Sequence, residues 1–508
     1  MMMTKKRSLF VCGLMLTIAT RLTCLNGMPL QHDQVLFTGR FDFSDPSKTV
    51  FSHVGSSIKA NFSGTGISAT FSAVSGTSYL YVIVDGHANP EKRTLIKIDR
   101  RTSESFVLAS GLPAGNHQVE LVKENQYDTK VAFHGFGVTG GSQLAKPARH
   151  ALSLEFYGDS NPAGHSAWDV ADGGAVINNG GYFTYPGITA RLLNAEYHNI
   201  SMGGVGITNR AWRNLANFYH LVHMNDAATG SNLWNFSDHS PDAVVINVGS
   251  NDYLRGSSKT DIKNGWKSFI TNKLRSHYPK AHVVLAESYG WAFNEPADYI
   301  NEAVAELHAA GDKNISYVRI PWLWGQEHAV VNEHAGFADI IARHLAKELK
   351  LPQPPLSDLS SFGPHGTVTN GSFEKSTLPG VADGWRPHGT VTLVENASDA
   401  VAGTRYLRVY DRAWVHFANG ADPGDEFTVT GWMRGEKNGA RGKLKLEFKD
   451  QGQHTIGANE GFCALTTRWR KFATTAVAPA KTWSAWVVLA AEKNAHVHFD
   501  DVQLTWKK

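Results

Sequence analysis

Ser160 stands where a serine could act as a nucleophile. The segment Leu154-Glu155-Phe156-Tyr157-Gly158-Asp159-Ser160 runs two apolar positions and an aromatic pair into Gly-Asp-Ser. It reads as a buried strand that stops abruptly at a hydroxyl. Gly158 tolerates backbone angles that other residues resist, and Asp159 can hydrogen-bond the turn, so the serine can be presented outward. Taken alone, the triplet better fits an ordinary strand-to-helix turn with Ser160 as helix cap.

Three further stretches bear on that choice. In Asn199-Ile200-Ser201-Met202-Gly203-Gly204-Val205-Gly206 a strand ends and three glycines follow within four residues. Backbone N–H groups exposed there can hold a developing negative charge, although a plain turn has the same composition. In Ala243-Val244-Val245-Ile246-Asn247-Val248-Gly249-Ser250-Asn251-Asp252 a buried strand ends in Gly-x-Asn-Asp. The Asn251 amide at such a place is a neutral donor suited to an oxyanion, or simply part of an Asx turn. Near the end of the same region, Trp324–Ala338 holds two histidines, His328 and His334. Either is a candidate general base; either can also pack or cap.

These stretches must be positioned by a sheet. From about Ala151 to Leu351, apolar strand-like runs (Ser153–Tyr157, Glu196–Ile200, Ala243–Val248, His282–Ala286, Ser316–Ile320) alternate with helical spacing (Gly187–Leu193, Lys263–Ser276, Ala297–Ala310, Ala338–Leu349). That alternation predicts a parallel sheet covered on both faces, whose sites lie at the carboxyl ends of the strands. Ahead of it, residues 33–145 alternate in the strand period with no long helical pattern, which predicts a β-sandwich of jelly-roll type. The α/β domain spans 150–351. A Pro-, Ser- and Gly-rich linker covers 352–365, and 366–508 returns to strand patterns, a second β-sandwich.

Composition narrows the class. The chain has 508 residues, enough for several domains at roughly 100–200 residues each. A net charge of +3 lacks the concentrated basic face of a nucleic-acid binder. The 14 Trp and 48 Gly suit β-rich domains and stacking surfaces for sugar rings, although most Trp are expected in cores. Met1-Met2-Met3-Thr4-Lys5-Lys6-Arg7 and the apolar run Leu9–Ala19 read as a secretory signal over 1–27. No later stretch is long enough for a membrane helix. Of 3 cysteines, Cys12 and Cys24 fall in or near the signal, which leaves Cys463 alone and no disulfide framework. A secreted or periplasmic monomer, free of the membrane once the signal is removed, is expected.

The ordered set resembles the SGNH (GDSL) hydrolase superfamily and, within it, carbohydrate esterase family 2. Leu154–Ser160, Leu193–Ser201, Trp234-Asn235-Phe236-Ser237 and Val244–Asp252 carry the likeness in the α/β region. Gly39-Arg40-Phe41, Val84-Asp85-Gly86, Gly115-Asn116-His117 and Phe133-His134-Gly135-Phe136 carry it in the β-domain. The resemblance implies a flavodoxin-like three-layer catalytic domain, Ser160 as nucleophile, and an oxyanion hole from the Ser160 and Gly204 N–H groups and the Asn251 side chain. It implies no catalytic metal or other cofactor. Family members show a histidine, a second one six residues on, then an apolar-Ala pair at the helix start. His328, His334 and Phe337-Ala338 keep that spacing, which makes His328 the base.

Two departures matter. Ala329 replaces a proline, and the acid usual before the histidine is absent, with Gly325 and Gln326 in its place. Glu327 is adjacent but would point away from the ring. A Ser–His dyad is therefore expected, its histidine oriented by a backbone carbonyl or Gln326. The stretch Asn161-Pro162-Ala163-Gly164-His165 is also unusual and is expected to reshape the pocket.

Residues 366–508 resemble carbohydrate-binding modules through Asn370-Gly371-Ser372-Phe373-Glu374, Gly384-Trp385 and the final Phe499-Asp500-Asp501-Val502. Trp414, Trp432, Trp469 and Trp483 are candidate stacking residues there. Glu374 and Asp501 are candidate ligands of a structural calcium. The implied activity is hydrolysis of O-acetyl esters on a polysaccharide such as xylan or glucomannan. The alternatives are a carbohydrate-binding protein with a decayed esterase domain, or an esterase for other small acyl groups.

Overall fold

The computed structural model describes residues 32–507 except 91, 127–128, 170, 287–297, 319, 321–327, 360–367, 369, 420, 451–453, 460 and 483. The expected signal over 1–27, Gly325-Gln326-Glu327, Trp483 and the second half of the linker lie outside the described residues.

In the N-terminal region nine described strands join in one hydrogen-bonded sheet. Two long strands form its spine: β1 (Ser57–Ser75) and β2 (Glu104–Lys123) pair antiparallel along their lengths. β1 runs through Gly64 without ending, with the register shifting between Gly64 and Gly66. A side chain at Gly64 would lie 2.6 Å from the Thr139 carbonyl oxygen, so only glycine fits this close approach. Apolar residues from all along the sheet, including Ile58, Phe62, Ile67, Phe71, Leu121 and Phe133, meet in one core. Nine strands can share one core only if the sheet curves, so the two layers predicted here are continuous with each other.

The central domain has the predicted alternation. β3 (Leu152–Gly158), β4 (Ala195–Ser201), β5 (Ala243–Asn247), β6 (His282–Ala286) and β7 (Ile315–Val318) form a parallel sheet in the order β4-β3-β5-β6-β7. This is the flavodoxin-like order. On one face, α1 (Tyr185–Leu192) and α5 (Val331–Glu348) pack Ile188, Ala338, Ile341 and Leu345 against Leu154, Phe156, Val245 and Val284. On the other, α3 (Lys259–Phe269) and α4 (Asp298–Ala309) pack Ile262, Trp266, Ala303 and Leu307 against Tyr157, Val244, Ile246 and Leu285. Short α2 (Ser250–Leu254) follows β5. No described helix is long and apolar enough to cross a membrane.

Helix α5 begins at Val331, a full two turns before the predicted Ala338. Its first residues, Asn332-Glu333-His334, are polar yet buried, which hid the helical period. Each is accommodated inside: Asn332 donates to the Leu359 carbonyl, Glu333 pairs with Arg386, and His334 packs between aromatic rings.

In residues 386–507, a six-stranded and a five-stranded antiparallel sheet enclose one core. Leu444, Leu446, Val487 and Leu489 from the first face Leu407, Val429, Met433 and Phe499 from the second. Alternation is strict along Glu426–Gly435, whereas Ser484–Ala491 is buried at every position. On that strand's second face, Trp486 and Val488 form a satellite cluster with Trp414.

The N-terminal and central domains are joined through a buried charge. Arg40 and Glu155, in the middle of β3, are both fully buried. Arg40 donates to the carbonyls of Tyr219 (2.6 Å) and Leu221 (2.9 Å), to the Tyr157 hydroxyl (3.3 Å) and to Glu155 (3.4 Å). Tyr157 and Tyr278 donate their hydroxyls to the same carboxylate. Burial alone would raise the Glu155 pKa; the Arg40 charge, a hydrogen bond from His198 and the nearby His239 together outweigh it and hold the group at about 2, against a usual 4.5. Its contribution to stability is thus present above pH 4.5 and is lost as pH falls through about 2. Arg40→Met leaves an unpaired buried carboxylate and is expected to lower unfolding stability by about 3–5 kcal/mol. Urea titration at neutral pH measures this, and the gap between wild type and variant should narrow toward pH 2.

Candidate active site

Parallel pairing places three loops side by side. Gly158 at the end of β3 lies opposite Ser201 of β4 and Asn247 of β5. Ser160, the glycine run and Asn251 therefore leave the sheet at neighbouring strand ends. Gly158 is required for space rather than for an unusual backbone angle: a Cβ there would lie 2.1 Å from Pro162 Cγ. Asp159 is buried; it accepts the Asn161 N–H (3.1 Å) and the Ser250 hydroxyl (2.6 Å). This ties the serine turn to the loop after β5.

His328 reaches that turn from the far end of the domain. Its Nε2 lies 2.8 Å from Ser160 Oγ, and its Nδ1 lies 2.9 and 3.1 Å from the two oxygens of Asp172. With the ring proton on Nδ1 facing the carboxylate, Nε2 is free to accept the serine proton. Burial would raise the Asp172 pKa, but hydrogen bonds and charge from His328 hold it far below the carboxylate range.

The dyad expected from the sequence is thus supplied with an acid, and from an unexpected direction. Asp172 stands in the loop that follows Ser160, not before His328. Gln326, the alternative orienting group, is outside the described residues. Asp172 has a left-handed φ of 51°. Its loop is tied by Asp169, which accepts the N–H groups of Ala171 (2.9 Å) and Gly173 (3.0 Å). The signal in the sequence was the unusual stretch after Ser160, continuing to Asp172-Gly173-Gly174, an acid followed by two glycines.

The two histidines separate clearly. His334 is fully buried in α5, between the Tyr185 and Phe337 rings. Burial pushes its pKa down to about 3, so it stays neutral. It packs; it does not face the serine. The His328 loop is anchored to the serine turn itself, since Ala329 N–H donates to the Asn161 side chain at 3.0 Å. His165, from the altered stretch, sits edge-on to His328 with ring centroids 4.4 Å apart.

The glycine run forms a turn in which Gly204 has φ +79°. Met202 N–H donates to the Gly158 carbonyl at 3.2 Å. Gly203 N–H donates to Gln126 of the N-terminal domain at 2.7 Å, and the Gln126 amide lies 3.2 Å from His165 Nδ1. Asn251 is buried, and its side-chain amide donates to the Val205 carbonyl at 2.9 Å. Its neighbour Asp252 accepts the N–H groups of Ile207 (2.8 Å) and Thr208 (2.6 Å). The Asn251 helix and the glycine turn are thereby one unit. Trp212 lies against Gly204, is 57% exposed, and carries the Arg255 guanidinium 4.6 Å from its ring centroid.

Among the described residues two groups of His, Asp and Glu lie close enough to share an ion. One is His165, Asp172 and His328, which contains the His328–Asp172 pair itself. The other is Glu155, His198 and His239, where Arg40 already supplies the positive charge. Glu374 and Asp501 belong to neither. Glu374 accepts from Thr404 N–H, Thr404 hydroxyl and Arg405 N–H, and Asp501 accepts from the Gln503 amide. Of the tryptophans, Trp414 is buried against Trp486, with ring centroids 6.2 Å apart. Trp469 is half-buried under Arg434 and donates to the Asp399 carbonyl, and Trp432 is half-buried.

Residues 37–147 match the family model for the carbohydrate esterase 2 N-terminal domain, and residues 156–346 match that of the GDSL-like lipase/acylhydrolase family. The cellulase/esterase CelE of Acetivibrio thermocellus is 29% identical over 325 residues, 62% of this chain but only 39% of CelE. The acetylxylan esterase/glucomannan deacetylase of Cellvibrio japonicus is 26% identical over 335 residues, 63% of this chain and 88% of that protein. A family two carbohydrate esterase from Clostridium thermocellum, solved with cellohexaose, superposes with a TM-score of 0.57 at 27% identity, over 62% of this chain and 99% of that one. Both family models end before residue 347, so the third domain lies beyond them. In its first two domains, the chain is thus similar to the GDSL-like hydrolases of carbohydrate esterase family 2.

Proposed function

We propose that the protein is an exported serine esterase that removes O-acetyl groups from a polysaccharide. The observation that carries this reading is the continuous hydrogen-bond chain Ser160–His328–Asp172 at the ends of the parallel strands. His328 Nε2 takes the Ser160 proton as Oγ bonds to the ester carbonyl carbon. The resulting oxyanion is met by the N–H groups of Ser160 and Gly204 and by the second hydrogen of the Asn251 amide, whose first is held by Val205. The C–O bond to the sugar then breaks, and His328 returns its proton to the leaving hydroxyl. Water, deprotonated by the same nitrogen, attacks the acyl-enzyme and releases acetate. Asp172 keeps the imidazole in the useful tautomer and stabilises the imidazolium.

The presence of Asp172 favours catalysis over a decayed, purely carbohydrate-binding domain. The sugar side of the reading rests on the relatives, an acetylxylan esterase/glucomannan deacetylase and an esterase solved with cellohexaose, and on Trp212. An exposed indole beside Gly204 offers a flat apolar face where a sugar ring carrying the ester would lie. Residues 366–508 are taken as a carbohydrate-binding module on their resemblance to such domains.

Acetate release from 4-nitrophenyl acetate and from acetylated xylan and glucomannan tests the reading. Ser160→Ala is expected to abolish release while the fold persists; full activity in that variant overturns the assignment. Asp172→Asn should preserve the geometry but lower kcat by about 10⁴-fold, whereas a Ser–His dyad that ignores Asp172 would be unaffected. Asn251→Ala is expected to cost about 10²–10³-fold in kcat. Trp212→Ala should raise KM for the acetylated polysaccharides and leave KM for 4-nitrophenyl acetate unchanged. Equal effects on both substrates would remove Trp212 from the sugar site.

A further inference from the structure

Arg386 opens the third domain, in strand β8 (Arg386–His388), yet its side chain belongs to the His328 loop. It is 7% exposed. Its Nε donates to Glu333 Oε1 and its Nη2 to Glu333 Oε2, each at 2.7 Å, a two-pronged pair that suits the guanidinium fork. The same Nη2 also donates to the carbonyl oxygen of His328 at 2.9 Å. Glu333 in turn accepts the Val330 N–H at 2.9 Å, two residues beyond His328.

A contact that merely docked two domains would need only the ion pair. The third bond falls on the backbone of the residue whose ring faces Ser160. On the other side of that residue, the His328 N–H faces Asp172 Oδ2 at 3.4 Å. Both of the backbone polar groups of His328 are therefore held by charged side chains, one from the Asp172 loop and one from the third domain.

We propose that Arg386 is a positioning residue of the catalytic apparatus. The third domain thereby completes the active site by fixing the peptide that aims His328 at Ser160. The proposal rests on the esterase reading for its kinetic consequence. Lysine cannot replace the guanidinium, because one ammonium cannot hold both Glu333 oxygens and the carbonyl with the same geometry.

The test uses the full chain. Arg386→Ala is expected to lower kcat on 4-nitrophenyl acetate by about 10–100-fold, the cost of a displacement of about 1 Å, with KM unchanged. Guanidinium ion at sub-denaturing concentration should restore part of the lost kcat. Arg386→Lys, which keeps a charge beside Glu333 and serves if the alanine variant does not fold, should also lose kcat. A second readout is independent of turnover: the low-field proton resonance of the His328–Asp172 pair, identified by its loss in Asp172→Asn, should shift or broaden in both Arg386 variants. Folded Arg386 variants with wild-type kcat and an unaltered resonance would overturn the proposal. A wild type that hydrolyses no acyl ester, but whose resonance depends on Arg386, would overturn the esterase reading and uphold the positioning role.

Discussion

His328 Nε2 must stay within hydrogen-bond reach of Ser160 Oγ, and the described residues that bear it, His328 to Val330, lie outside any strand or helix. Strand ends are where a parallel sheet exposes its chemistry, and they are also where backbone hydrogen bonding stops. Positioning has to come from side chains instead. Asp172 holds the ring, Asn161 holds the next N–H, and Arg386 holds the carbonyl. Each bond comes from a different segment, so the geometry exists only in the assembled fold.

The same logic extends to the domains that flank the central sheet. Arg40 neutralises Glu155 on the strand that leads to Ser160, Gln126 accepts the Gly203 N–H, and Arg386 donates to the His328 carbonyl. Two of these are arginines at least nine-tenths buried. Burying a guanidinium is costly unless its donors are met, and here the terminal nitrogens of Arg40 and the Nε and Nη2 of Arg386 land on a carboxylate, a hydroxyl or a carbonyl, while Arg40 Nε is left unpaired. The flanking domains thus reach the site through single side chains, two of them buried arginines.

The acid is the part that moved. A histidine needs a carboxylate at Nδ1, but the carboxylate can arrive from any segment that reaches it. Here it arrives on a loop that leaves the serine turn and returns, closed by Asp169 and by glycines at 173 and 174. The altered residues after Ser160 and the missing acid before His328 are two sides of one rearrangement.

Local patterning alone determined much of this protein. Period-two alternation marked the flanking β-domains. Alternating strands and helices marked the parallel sheet, and Gly-Asp-Ser, the glycine run and Gly-x-Asn-Asp fell at its strand ends, because those features depend on neighbours a few residues apart. The start of α5 escaped because its first turn is polar but buried, and burial is not a local property. The tertiary structure alone brought Asp172 to His328 and placed Arg386 on its backbone. Those are contacts between residues far apart in the chain or in different domains, and no spacing rule along one sequence encodes them.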